Sequence, residues 1–199
     1  MTGKTNYQLL LDQQLNNITQ GQDRPSLLLH ACCAPCSSYV LEYLNDYFDI
    51  TLYFYNPNIA PKEEFVFRAK ELERLINEMP LKNKVQLIIP DYSPIPFEII
   101  AKGKEHLPER GLRCTDCYAL RLQKTFDIAQ EKKFDYFSTT LSISPHKDAE
   151  RLNTIGRALA QNSNVKWLFS DFKKKNGYKR SIELSEKYSL YRQNYCGCI

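Results

Sequence analysis

Residues 24–47 read RPSLLLHACCAPCSSYVLEYLNDY. The run Leu27–Leu29 is short, continuous and apolar, which suits a strand buried on both faces. Cys36-Ser37-Ser38 reads as a turn and cap that opens a helix over residues 38–47. A strand that feeds directly into a helix, with cysteines at the junction, sets the register for the rest of the chain.

Working outward, residues 5–19 form an amphipathic pattern with Leu9, Leu10, Leu11 and Leu15 on one side. ITLYFYNPN (50–58) is a second strand. PKEEFVFRAKELERLINEMP (61–80) is a helix, with Pro61 near its first turn and Phe65, Leu72, Leu75 and Ile76 facing inward. KVQLIIPDY (84–92) is a third strand. FEIIAKGK (97–104) and RCTDCYALRLQKTFDIAQEKK (113–133) are helical, with a loop around His106–Gly111. FDYFSTTL (134–141) is a fourth strand, DAERLNTIGRALAQ (148–161) a helix and VKWLFSDF (165–172) a fifth strand. The last stretch, 177–199, reads as one helix followed by an irregular end. Alternating strands and helices imply right-handed crossovers and a mainly parallel sheet. The expected fold is therefore α/β, a single domain over residues 1–199, with an N-terminal helical extension (1–25) and a C-terminal helix and cysteine tail (176–199). Functional groups in such a sheet gather at the carboxyl ends of the strands. His30–Cys36, Asn56–Asn58, Asp91–Tyr92, Ser138–His146 and Ser170–Asp171 all fall there.

A hydrophobic share of 43% and a charged share of 25% are those of a globular chain, which excludes disorder as the overall state. No stretch approaches ~18 consecutive apolar residues, so no spanning helix is expected. No secretory leader is legible at the N-terminus, and cytoplasmic location is the expectation. Neither a G-x-G-x-x-G nor a G-x-x-x-x-G-K-[ST] pattern occurs, so nothing supports a dinucleotide or P-loop site.

The seven cysteines fall into three groups, CCAPC (32–36), CTDC (114–117) and CGC (196–198). An odd number, tightly grouped, reads as metal or redox chemistry rather than a disulfide framework. Thiolate softness suits zinc or an iron–sulfur cluster. The vicinal pair at a strand–helix junction resembles an active-site loop more than a zinc knuckle, which favours the cluster, with Cys32, Cys33, Cys114 and Cys117 as ligands. Cys36, at a helix start, is a nucleophile, a ligand for a second metal or a capping residue. Asp116 is an oxygen ligand for that metal or a solvated aspartate. A disulfide across Cys196-Gly197-Cys198 closes a very small ring, strained and easily reduced. The pair is a two-electron carrier on an exposed, swinging tail, or an accessory metal hook. His30 is a buried donor behind the cysteines or an ordinary core histidine. His146 binds phosphate or caps a loop, and His106 is a loop residue.

The net charge of +4 is compatible with an anionic partner. Lys173, Lys174, Lys175, Lys179 and Arg180, near Tyr178, Tyr188, Tyr191, Arg192 and Tyr195, offer a platform for the phosphates and bases of single-stranded RNA. Arg110, Arg113, Arg121, Arg151 and Arg157 add charge near the expected site.

HACCAPCS (30–37), YNPNIAPKEEF (55–65), RCTDCYALRL (113–122), FSTTLSISPHKD (137–148) and LYRQNYCGC (190–198) together resemble the QueH-type epoxyqueuosine reductases. The resemblance implies a fold of the adenine-nucleotide hydrolase-like, PP-loop type. It implies reductive removal of the epoxide oxygen from epoxyqueuosine at the wobble position of a tRNA anticodon loop, without cobalamin. It further implies a 4Fe–4S cluster on Cys32, Cys33, Cys114 and Cys117, a mononuclear iron assigned to Cys36 and Asp116, and a redox-active pair, Cys196 and Cys198. The electron donor is unidentified, and Asp116, His30 or a bound water is the expected proton source. The competing readings are a PP-loop-like tRNA sulfurtransferase, which lacks its S-G-G-x-D-S loop here, and a zinc-stabilised RNA-binding module.

Overall fold

The computed structural model describes residues 5–21, 24–193 and 195–198. Residues 1–4, 22–23, 194 and 199, which the expected N-terminal extension and C-terminal tail include, lie outside the described residues. The chain runs α1 (Tyr7–Thr19), β1 (Ser26–His30), α2 (Ala34–Leu44), β2 (Asp49–Tyr53), α3 (Lys62–Glu78), β3 (Gln86–Ile88), α4 (Ile95–Ala101), α5 (Leu112–Glu131), β4 (Tyr136–Thr139), a 3-10 turn (Thr140–Ile143), α6 (Ala149–Ala160), β5 (Lys166–Trp167) and α7 (Gly177–Lys187).

The five strands form one sheet in the order β3-β2-β1-β4-β5, and every pairing is parallel. From β1 the chain winds outward through β2 and β3, then returns to lay β4 on the other side of β1. Connections leaving β1 and β4 therefore diverge, and a crevice opens between them at their carboxyl ends. His30 ends β1 and Thr139 ends β4, paired across that crevice.

Side-chain alternation explains the unbroken apolar run of β1. Leu27 and Leu29 pack with Leu11, Leu15, Leu41, Leu44, Phe65, Leu72 and Leu75 from α1, α2 and α3. Leu28 points the other way, to Tyr118, Leu122 and Phe126 of α5 and Leu152 of α6. A strand covered by helices on both faces has no polar side to show. α1 is built into the first of these faces, with Leu9 turned to solvent rather than inward as the periodicity predicts. α7 packs on α2, so both terminal helices cover the same side of the sheet.

β5 is shorter than its apolar run predicts. Gln14 of α1 donates from Nε2 to the carbonyl of Trp167 (3.0 Å) and accepts at Oε1 from the backbone N–H of Phe169 (2.9 Å). A side-chain amide thus caps this sheet edge and satisfies groups that a longer strand would leave open. Among the described residues, no helix is long and apolar enough to cross a membrane.

Gly156 brings α6 close against β5. A Cβ there would stand 2.2 Å from Cδ2 of Trp167, whose indole N–H is held by Asn153 Oδ1 at 2.9 Å. Replacing Gly156 with Val should lower stability by about 1–3 kcal/mol through overpacking. Chemical denaturation checks this, and an unchanged midpoint would show that the indole yields.

Candidate metal and redox centre

α2 begins at Ala34, two residues before the expected cap, because Pro35 suits a first helical turn. Cys33 is its N-cap residue in extended backbone, and its carbonyl accepts from Ser37 N–H and from Ser37 Oγ at 2.8 Å. Cys36 therefore lies inside the first turn, not in a turn before it. The Sγ atoms of Cys32, Cys33 and Cys36 all fall within 4.8 Å of one another, so these three could hold a metal ion. The helix N-terminus favours negative charge on them. Cys32 is held well below the usual thiol range because Cys33 and Cys36 donate to its sulfur, with help from Arg121 and the Thr140 hydroxyl. Cys33 is correspondingly pushed up to about 12 by its bond to Cys32 and by burial.

CTDC forms the first turns of α5. Spacing of three puts Cys114 and Cys117 toward one side, both buried. The backbone N–H of Arg110 donates to Cys114 Sγ at 3.3 Å. Cys114 and Cys32 border the same apolar cluster, while Cys117 packs in a smaller one with Cys198. Asp116, a further 100° round the helix from Cys117, instead meets Lys104 Nζ at 2.5 Å and does not line the cavity described below. Its expected place beside Cys36 is not what the structure shows.

Arg121, one turn after Cys117, is 2% exposed and lies between the cysteine groups. Nε donates to His30 Nε2 at 3.2 Å, Nη2 to Asn56 Oδ1 at 2.5 Å, and Nη1 approaches Cys117 Sγ at 3.9 Å. Burial opposes its charge, but the sulfurs of Cys117, Cys32 and Cys196 outweigh that and raise its pKa. Among the described residues no carboxylate pairs with it, so its counter-charge comes from sulfur. The sequence placed Arg121 among general basic residues; its position one turn after CTDC was the signal available.

His30 is fully buried behind this guanidinium, with Nδ1 2.9 Å from Thr139 Oγ1. Burial first, then Arg121, lowers its pKa to about 3, so it is neutral. Its Nε2 stands 3.2 Å from Arg121 Nε and 3.1 Å from the Tyr55 carbonyl, so the tautomer sets whether it accepts from the guanidinium or donates to the backbone. His30 does not line the cavity described below.

The tail is docked rather than swinging free. Gly197 adopts a φ of 98°, a region that favours glycine, and its carbonyl accepts from Ala60 N–H at 3.1 Å. Arg68 Nη1 donates to the Cys196 carbonyl at 3.4 Å and the guanidinium lies over the Tyr195 ring. Lys147 Nζ donates to Cys196 Sγ at 3.2 Å and to Glu109 Oε1 at 3.0 Å. The bond from Cys198, then Lys147 and Arg121, hold the Cys196 thiol down to about 5 against the effect of burial. All seven cysteines are free thiols here.

One cavity of about 470 Å³ has Cys32, Cys33, Cys36, Arg121, Lys147 and Cys196 in its wall, whereas Cys114, Cys117 and Cys198 do not line it. It opens in the crevice between β1 and β4. His146 and Tyr178 are at its border, whereas Arg157 borders a separate hollow beside Trp167. The expected lysine platform is largely neutralised from within. Lys173 pairs with Asp171, Lys175 with Asp12, and Arg180 with Glu42 and Glu183.

The profile of the family described as epoxyqueuosine reductase QueH matches residues 27–199. The epoxyqueuosine reductase QueH of Streptococcus pyogenes serotype M1 is 45% identical over 198 residues, covering 98% of this chain and 78% of the relative. That of Staphylococcus epidermidis is 44% identical, over 98% of this chain and 84% of the relative. The Thermotoga maritima protein of the same name is 31% identical, over 87% and 88%. Matches of this identity and extent, on a chain whose three cysteine groups meet around one buried arginine, place it in the epoxyqueuosine reductase QueH family.

Proposed function

We propose that this chain reduces epoxyqueuosine at the wobble position of tRNA to queuosine. Family membership supports the reaction, and the observation that carries the chemistry is Arg121, a buried cation that faces sulfurs of all three cysteine groups, with Cys32 and Cys196 held ionised beside it. A charge buried without a carboxylate partner is costly unless anionic groups surround it. Thiolates bound to iron meet that need, so the donor set fits a metal–sulfur centre.

In this reading Cys32, Cys33, Cys114 and Cys117 hold a 4Fe–4S cluster and Cys36 faces a second iron. Such groups supply single-electron transfer and a Lewis acid for an epoxide oxygen. Converting an epoxide to an alkene and water consumes two electrons and two protons. Oxidation of the Cys196–Cys198 dithiol to a disulfide releases two electrons and two protons, which closes the balance. An external dithiol restores the pair by exchange. Lys147 is one cationic donor on the cavity wall, beside Arg68, Arg121 and Arg192, and it stabilises negative charge on the departing oxygen, while the proton comes from Asp116, His30 or a bound water. Arg121 holds the sulfur anions in place, His30 and Asn56 orient Arg121, and Cys196 sits within the wall with Cys198 packed behind it beside Cys117.

Anaerobically purified protein should be brown, with about four irons and four sulfides and one further metal. With a reductant it should remove the mass of one oxygen from epoxyqueuosine-tRNA. A colourless protein holding a single zinc would refute the reading. Cys33→Ser should abolish iron retention and turnover together, as iron analysis and product formation would show. Cys198→Ser should retain iron yet lose turnover, because a lone thiol cannot release the two electrons, and sustained turnover in that variant would remove the tail pair from the mechanism.

Cys196 should also be the more reactive tail thiol. A thiol held near 5 is ionised at every pH above that value, so its alkylation should stay fast down to about pH 6. Lys147→Met should shift the onset upward, toward the ordinary thiol range of about 8.5. Mass-spectrometric mapping of alkylated residues against pH checks both.

A further inference from the structure

Three buried polar atoms on the cavity wall have no hydrogen-bond partner among the described residues: Asn58 Oδ1, Arg68 Nη2 and Gln193 Oε1. Buried polar groups are nearly always paired, so orphans gathered at one cavity mark where a ligand supplies the missing partners. Asn58, in the loop after β2, and Arg68, on α3, are each 2% exposed, so bulk solvent does not serve them.

The chemistry of that ligand follows from what Arg68 already does. Its Nε donates to Glu64 Oε1 at 2.7 Å, its Nη1 to the Cys196 carbonyl, and its face covers Tyr195. Its charge is met by Glu64, which is itself largely buried. What remains at Nη2 is a spare N–H rather than a spare charge. A phosphate there would set a second anion near Glu64. A neutral acceptor carries no such penalty. Asn58 contributes the complementary group, a carbonyl oxygen that needs a donor. A hydroxyl supplies both functions, and two adjacent hydroxyls supply them at once.

We propose that Asn58 and Arg68 form a hydroxyl-reading clamp that grips the vicinal diol on the cyclopentane ring of the substrate, one hydroxyl accepting from Arg68 and the other donating to Asn58. This deepens the reductase reading and rests on it, because epoxyqueuosine carries that diol beside its epoxide. Since Arg68 also holds the Cys196 carbonyl, the clamp ties recognition of the ring to the position of the tail.

The test uses full-length protein prepared anaerobically with its metal. Two tRNAs identical except at the wobble base serve as probes. One bears the reaction product, which keeps the diol; the other bears the same aminomethyl-deazaguanine without the ring. Wild type should bind the first about tenfold more tightly. Asn58→Leu and Arg68→Lys should each lose most of that preference while binding the ringless tRNA as wild type does. Asn58→Asp, which keeps an acceptor oxygen, should retain it. Equal weakening toward both tRNAs would overturn the clamp, as the mark of a phosphate or purely structural contact. A preference that survives in both variants would overturn it too. Conversion of epoxyqueuosine-tRNA by wild type separates the two levels: without it the reductase reading fails, and with it a negative binding result falls on the clamp alone.

Discussion

A guanidinium with no carboxylate partner among the described residues, buried at the cavity wall, is the constraint around which this structure is arranged. Taking such a charge out of water costs several kcal/mol unless other groups answer it. Arg121 is answered by sulfur, by the ring nitrogen of a neutral histidine and by the Asn56 carbonyl. Each partner is fixed in turn. Asn56 Nδ2 donates to the Ala31 carbonyl at 2.9 Å, which holds the loop of β1 in register with that of β2. His30 ties to Thr139, which joins β1 to the end of β4. One side chain from α5 thereby sets the relative positions of three strand ends and, through them, the cysteines.

The parallel topology then concentrates positive potential on the same spot. α2 and α5 both start at this end of the molecule, each with a cysteine-bearing first turn. Their free N–H groups and macrodipoles favour anions. Lys147 adds a charge at the wall, and the docked tail closes one side with Gly197 packed against Arg68 and Ile59. A side chain at 197 would meet these neighbours within 3.2–3.5 Å, so the glycine between the two cysteines serves close packing as well as the turn.

Sequence periodicity located the five strands and seven α-helices of the described residues, since burial on both faces writes a plain apolar code. It failed where side chains, not hydropathy, ended an element, as Gln14 does at β5. Charge pairing across the fold was not legible either. The 173–180 run reads as a free basic surface, yet Asp12, Glu42, Asp171 and Glu183 neutralise much of it, two of them from distant segments. Asp116 sits between two cysteines in the chain, yet it meets Lys104 outside the cavity wall, because a helix turns neighbours in sequence to different faces.

The chain alone determined that the fold is α/β, that three cysteine groups carry the chemistry, and that they resemble one reductase family. Those properties are local: periodicity, spacing and motif are all read along the chain. Only the tertiary structure decided that Cys36 joins Cys32 and Cys33, that the CGC tail is docked, and that Arg121 and Lys147 supply its charges. The same holds for the unpartnered atoms of Asn58 and Arg68. Each of these depends on groups far apart in sequence competing for the same buried space and the same hydrogen bonds, and no pattern along the chain records the outcome.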